Sequence, residues 1–299
     1  MVELKGLTKR IGRHTLVDDL TLLIGKGEVF GLLGPNGAGK TTTIRMITGL
    51  IKPTKGEVTI AGYSVTGEFE KAIENIGAVV ENPEMYGYLS GYENLLHYAR
   101  MHKTITKGRI SEVVGLVGLE ERIHEKVRTY SLGMRQRLGL AQSLLHKPGV
   151  LILDEPTNGL DPAGIRELRE YLKRLAREEG IAVIVSSHLL AEMEKMCDQI
   201  AIIDKGRLIG VEQVDSFVGA KKQKWLILLN EVKTAEKVLA EKGILYSAEE
   251  RSVTIEAKKE QIPSVIASLV EKECSIYEVS PIKKASLEEE FLLVTGGAK

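Results

Sequence analysis

The run Gly34-Pro35-Asn36-Gly37-Ala38-Gly39-Lys40-Thr41 constrains this chain more than any other stretch. It fits G-x-x-x-x-G-K-[ST], a pattern with meaning only between a strand and a helix. The apolar run Val29–Leu33 before it predicts a buried strand, and Thr42–Leu50 after it predicts a helix with Ile44, Ile47 and Leu50 on one face. Gly34, Gly37 and Gly39 let the backbone turn successive N–H groups inward, toward phosphate oxygens. The new helix presents its positive end to the same anion. Lys40 adds a full charge at the β- and γ-phosphates, and the Thr41 hydroxyl suits Mg²⁺. Pro35, Asn36, Ala38 and Thr42 complete the expected cradle.

The rest of the chain sets bounds. Its 299 residues leave room for a large domain and a smaller one. Lys plus Arg equals Asp plus Glu at 41 each, so no electrostatic drive toward nucleic acid is visible. Cys197 and Cys274 lie far apart without metal-ligand spacing, and read either as free thiols of a reducing compartment or as a disulfide. The opening MVELKGLTKRIG has no apolar core, so no signal peptide is expected. Apolar runs such as Ile181–Val185 and Trp225–Leu229 fall far short of the ~20 residues that span a bilayer. A role at a membrane would be played from outside the lipid.

In chain order, residues 2–28 predict short antiparallel strands, with turns at Gly12, Gly25 and Gly27. Residues 56–65 predict another strand pair member, Glu68–Asn75 a short helix and Ile76–Val80 a strand. From Glu81 the pattern turns helical, with apolar residues at three- and four-residue steps in 93–102 and 109–117. A helical subdomain over about residues 82–148 is expected, inserted between strands of one sheet. Val150–Leu153 returns to a buried strand. PTNGLDP then leads into a helix with Ile165, Leu168, Leu172 and Leu175 on one face. Ile181–Val185 is the next strand, with a helix near 189–197 and a strand pair near 200–211. The fold class is therefore α/β with a parallel sheet, an antiparallel β part and a helical subdomain, over residues 1–214. Residues 215–299 read as a small α+β accessory domain with strands at 225–229 and 244–256, a helix at 234–242 and a stripe of Ile262, Val265, Ile266, Leu269 and Val270 serving as its core. SLEE at 286–289 reads as a capping box opening a last short helix.

Asp154 and Glu155 follow four apolar residues. Two carboxylates at the end of a buried strand are costly unless they have a use. Beside a phosphate loop, Asp154 holds Mg²⁺ through its water shell, and Glu155 sits at the γ-phosphate to polarise the attacking water.

Phosphate loop, YSLGMRQR at 130–137, LILDEP at 151–156, NGLD at 158–161 and SSH at 186–188 occur in that order. Over residues 2 to about 214 this resembles the ATPase subunit of an ABC transporter. IGAVVENPEMYGYLSGYENL (76–95) and ASLEEEFL (285–292) make it most similar to drug- and peptide-antibiotic export ATPases of the bacitracin-resistance type. The resemblance implies ATP and Mg²⁺, and a phosphate-loop ATPase cassette that closes as a head-to-tail homodimer on two ATP molecules. It also implies a separate membrane-spanning permease and a place on the cytoplasmic face of the membrane. Ser131 and Gly133 match the family's L-S-G-G-Q signature, which faces the γ-phosphate held by the other subunit; Tyr130, Leu132 and Met134 depart from it. Asp161 matches the loop at the dimer seam. His188 matches a γ-phosphate sensor that positions Glu155 and the water, and Lys40 stabilises charge.

Two departures stand out. Glu81 occupies the family's lid glutamine position, where a carboxylate either ligates Mg²⁺ or serves as lid and relay. Ile11 stands where the family places an aromatic residue against adenine; it covers the base without π-stacking, and His14 is the alternative. Weak discrimination between ATP and GTP follows. Tyr86, Tyr88 and Tyr92 either contact the membrane partner or pack within the helical subdomain. A soluble ABC ATPase acting outside transport is the alternative function. One cassette, no sustained heptad pattern and neutral charge weigh against it. Residues 216–299 serve either as a ligand-sensing regulator or as dimer support.

Overall fold

The computed structural model describes residues 1–81, 83–102, 104–214 and 223–281. The chain begins with β1 (Val2–Ile11), β2 (His14–Ile24), β3 (Val29–Leu33), α1 (Lys40–Ile47), β4 (Lys55–Ile60) and β5 (Tyr63–Ser64). Next come α2 (Phe69–Ile73), β6 (Ile76–Val79), α3 (Gly91–Ala99), α4 (Lys107–Leu116) and α5 (Leu132–Leu144). β7 (Val150–Leu153), α6 (Pro162–Glu179), β8 (Ala182–Ser187), α7 (Leu190–Met196), β9 (Gln199–Asp204) and β10 (Arg207–Gln213) follow. The last set is β11 (Gln223–Leu229), α8 (Val232–Glu241), β12 (Tyr246–Glu249), β13 (Ser252–Ala257), α9 (Ile262–Glu271) and β14 (Ile276–Pro281). Two compact units result, one within Met1–Asp215 and one within Ser216–Leu293.

In the first unit an antiparallel sheet runs β2-β1-β4-β5. A second sheet runs β10-β9-β3-β8-β7-β6, parallel except for the edge strand β10. The sequences VFGLL, VLIL and AVIVSS of β3, β7 and β8 are buried throughout, as central parallel strands require. Phe30, Leu32, Ile152 and Ile184 share one core with Leu4, Leu20 and Ile44. Parallel β3, β8 and β7 lie side by side, so their carboxyl ends emerge at one edge of the sheet. That edge is where open α/β sheets bind ligands.

The helical part is pinned by caps. Ser90 opens α3 with Glu93 in a reciprocal capping box, and Thr106 caps α4. Buried Arg109 donates to the carbonyls of Leu144 and Leu145, closing the end of α5. His146 reaches from there to the carbonyl of Ile76, tying the helices to β6.

The first helix differs from expectation. It ends at Ile47: Thr48 follows, and Gly49 takes φ +70, so Leu50 is exposed and Met46 joins Ile44 and Ile47 in the core. On α6 the buried face is Leu168, Tyr171, Leu172, Leu175 and Ala176, with Ile165 half-buried.

The second unit is a β-α-β-β-α-β split motif with sheet order β12-β13-β11-β14. Trp225, Ile227, Leu229, Val253 and Ile255 pack beneath Leu239, Ile262, Val265 and Leu269. Val270 of the expected stripe is exposed, because it falls on the far side of α9. No element is expected over residues 276–281, yet Ile276, Tyr277 and Val279 are strand formers, and the segment is β14, an edge strand of half-buried and exposed residues. The stretch 285–292 and its capping box lie outside the described residues. Cys197 and Cys274 are both free and buried. Among the described residues no helix is long and apolar enough to cross a membrane.

Candidate functional site

A cleft of about 360 Å³ opens where β3, β7 and β8 end. Pockets of about 300–1,000 Å³ hold small molecules. Its walls are the loop from Asn36 to Thr42, together with Leu16, Glu155, Asn158 and His188. Gly37 has φ +80 and Gly39 has φ +106, conformations that side-chain-bearing residues rarely adopt. At Gly39 a Cβ would also stand 2.7 Å from the carbonyl of Leu16. The loop therefore needs glycine here to bring its backbone over the start of α1.

Lys40 is only 5% exposed. Its ammonium donates to the carbonyls of Gly34 at 2.8 Å and Pro35 at 3.3 Å, and lies 3.4 Å from Glu155 Oε1. The other Glu155 oxygen meets His188 Nδ1 at 3.0 Å. A carboxylate only accepts, so Nδ1 carries the hydrogen and Nε2 is left for another partner. Glu155 itself has φ +47, a strained position for a residue with a Cβ. Residues far apart in sequence thus form one charged cluster on the cleft wall.

Asp154 is 5% exposed, one step behind Glu155, and its Oδ1 accepts from Ser186 at 2.5 Å. Thr41, near the start of α1, lines the cleft. Oxygen donors of this kind suit Mg²⁺, which takes few protein ligands and fills its shell with water and phosphate. Among the described residues no three His, Cys, Asp or Glu side chains cluster to form a cage for a metal.

Other expected residues lie elsewhere. Glu81 pairs with Arg45 on α1, both side chains well exposed, and is not on the cleft wall. Ile11 is exposed at the tip of the β1–β2 hairpin, paired with exposed His14; Leu16, further along β2, is the apolar residue on the wall. Ser131 caps α5 by accepting from the Met134 N–H, and Asp161 caps α6 by accepting from Gly164. Leu132 lies against Gly159, so these two cap turns are neighbours, yet neither Ser131, Gly133 nor Asp161 lines the cleft. Tyr88 is 68% exposed and Tyr86 lies beside it at 5.8 Å, whereas Tyr92 is half-buried against His124. Sequence reasoning missed Leu16, Asn158 and Ser186. The signals available for Asn158 and Ser186 were the NGLD and SSH stretches that contain them; in the structure the Asn158 N–H closes a turn on the Glu155 carbonyl.

Residues 17–158 match the family model described as ABC transporter. The uncharacterized ABC transporter ATP-binding protein YhcH of Bacillus subtilis (strain 168) is 57% identical over 299 residues, covering 100% of this chain and 97% of that protein. The bacitracin transport ATP-binding protein BcrA of Bacillus licheniformis is 46% identical over 209 residues, 70% of this chain and 68% of that one. Among solved structures, a dimeric ATP-binding cassette in a post-hydrolysis state bound to ADP and Pi superposes with a TM-score of 0.65 at 27% identity, over 73% of this chain and 100% of that one.

Proposed function

This chain belongs to the ABC transporter family of ATP-binding proteins, and on that premise we propose that it energises transport through a separate membrane-spanning partner. It binds nucleotide and hydrolyses ATP. The observation that carries the reading is the Lys40–Glu155–His188 cluster on the wall of a glycine-built phosphate loop.

The loop N–H groups and Lys40 bind the phosphates. Lys40 exchanges its loop carbonyls for the β- and γ-oxygens, which keeps the buried ammonium paired. Glu155, held by His188, accepts the proton of the attacking water as the bond between γ-phosphorus and ADP breaks. His188 Nε2 addresses the γ-phosphate. Thr41 and, through water, Asp154 would hold Mg²⁺, which when bound neutralises charge between the β- and γ-phosphates. Leu16 and Ile11 cover the base.

Ser131, Gly133 and Asp161 act across a head-to-tail dimer. Their absence from the cleft wall of their own chain supports this, as does the dimeric state of the similar cassette. Glu81, tethered to α1 by Arg45, acts as lid and relay to the partner, and exposed Tyr86 and Tyr88 extend that face. The protein then sits peripherally on the cytoplasmic side of the membrane. Export of drug- or peptide-like cargo is favoured by the bacitracin-transport relative.

The test is ATP hydrolysis by the purified chain beside Glu155→Gln, with size-exclusion in ATP and in ADP. The expected result is turnover lost in the variant, by roughly 10²–10⁴-fold, with a dimer trapped by ATP alone. A variant that turns over normally, or stays monomeric in ATP, would remove this reading.

A further inference from the structure

We infer that Ser186 is a positioning residue for hydrolysis, joining the two carboxylates at the end of β7 and setting the backbone of Glu155. The backbone ladder between β7 and β8 makes its last pair at Leu153 and Val185. One step beyond, a side chain takes over. Ser186 Oγ donates to Asp154 Oδ1 at 2.5 Å and accepts from the Glu155 N–H at 2.9 Å. A hydroxyl has one proton to give, so this direction is forced: a carboxylate accepts and an amide N–H donates. Ser186 is 0% exposed, so water cannot substitute for either bond. Its strand is locked on the other side, where it pairs with Leu32 of β3, the strand that delivers the phosphate loop.

The bond to the Glu155 N–H falls on the residue whose backbone most needs it. Asp154 continues the sheet by donating its N–H to Val79. Glu155 then turns into φ +47, and its N–H leaves the ladder. Without Ser186 that N–H would be unpaired inside the protein, and the left-handed turn would lose a bond that fixes it. The turn is what swings the Glu155 carboxylate between Lys40 and His188. Ser186 therefore acts on the reaction through Glu155 and does not touch the nucleotide cleft itself.

The inference rests on Glu155 as the water-activating base, and the experiment separates the two. Ser186→Ala, Ser186→Cys, Ser186→Thr, Glu155→Gln and the double variant Glu155→Gln/Ser186→Ala are made in the full chain. Steady-state ATP hydrolysis and ATP affinity are measured for each. Ala and Cys are expected to lower kcat by roughly 10–100-fold, the cost of a small misplacement of a reacting group, while KM and ATP affinity hold. Thr keeps a hydroxyl in a residue at home in strands, and is expected to restore most of kcat. With Glu155→Gln already present, Ser186→Ala should change the residual rate little, because the two act as one unit. Wild-type kcat in the Ala variant would overturn the inference, as would an equal loss with and without Glu155→Gln. Glu155→Gln turning over at the wild-type rate would instead sink the base assignment beneath it.

Discussion

The two units treat polar groups in opposite ways. In the second, the buried set among the described residues is apolar except for Ser252. In the first, Lys40, Asp154, Arg109, Ser186 and several threonines are buried. Burying a charge is costly unless it is paired and hydrogen-bonded, and nothing in the packing of a parallel sheet requires it. The contrast teaches where work is done. The second unit's core is apolar, whereas the first gathers Lys40, Asp154, Ser186 and the strained Glu155 where β3, β7 and β8 end, with Arg109 buried separately at the end of α5.

The strongest blow to the first unit is Glu155→Gln, with its loss of turnover. Next comes a blow to the second: Leu269→Ala removes a fully buried side chain and should destabilise that unit by about 2–5 kcal/mol. Denaturant unfolding checks the loss. Unchanged nucleotide affinity would sharpen the contrast, and a large drop would break it. Lys40→Met removes charge-assisted bonds worth about 1.5–3 kcal/mol, so ATP binding should weaken by roughly 10–150-fold in titration calorimetry. Smaller is a pH effect at His146. Burial chiefly holds its imidazole below the usual histidine range, with stacked His102 and Arg109 adding and Glu74 and the bond to Ile76 opposing. A folded value lower than the unfolded one gives stability present above pH ~6.5 and lost as pH falls below it. Melting temperature should fall on acidification through that range, and His146→Leu should flatten the fall. The smallest effect concerns the base: with Leu16 and Ile11 to cover it and no Phe, Tyr or Trp on the cleft wall among the described residues, GTP and ATP should be hydrolysed at rates within about tenfold of each other.

The phosphate loop was legible because its spacing encodes its geometry: glycines, lysine and helix start lie within eight residues. Asp154 and Glu155 were legible as strand-end carboxylates after an apolar run, and His188 only through the order of motifs that carries the family resemblance. Ser186 was not, because its contact depends on β7 and β8 being neighbours in parallel register, and sequence order does not supply sheet order. The Arg45–Glu81 pair escaped for the same reason, bridging α1 and the end of β6. Leu50 and Val270 were misplaced by periodicity alone. A glycine in positive φ ended one helix early, and the other stripe was wider than the face it packs. β14 lacked the alternation that marks a half-buried strand.

The second unit's sheet has a mechanical consequence. Its first and last strands, β11 and β14, are antiparallel neighbours, with Trp225 opposite Pro281 near the start of one and the end of the other. Tension applied through residues 223 and 281 therefore pulls on the same end of that pair. The ladder bonds lie along the force and break in succession, as in a zipper, rather than resisting together in shear. However well its core is packed, this unit is soft when pulled by its ends, and the strand to yield first is β14.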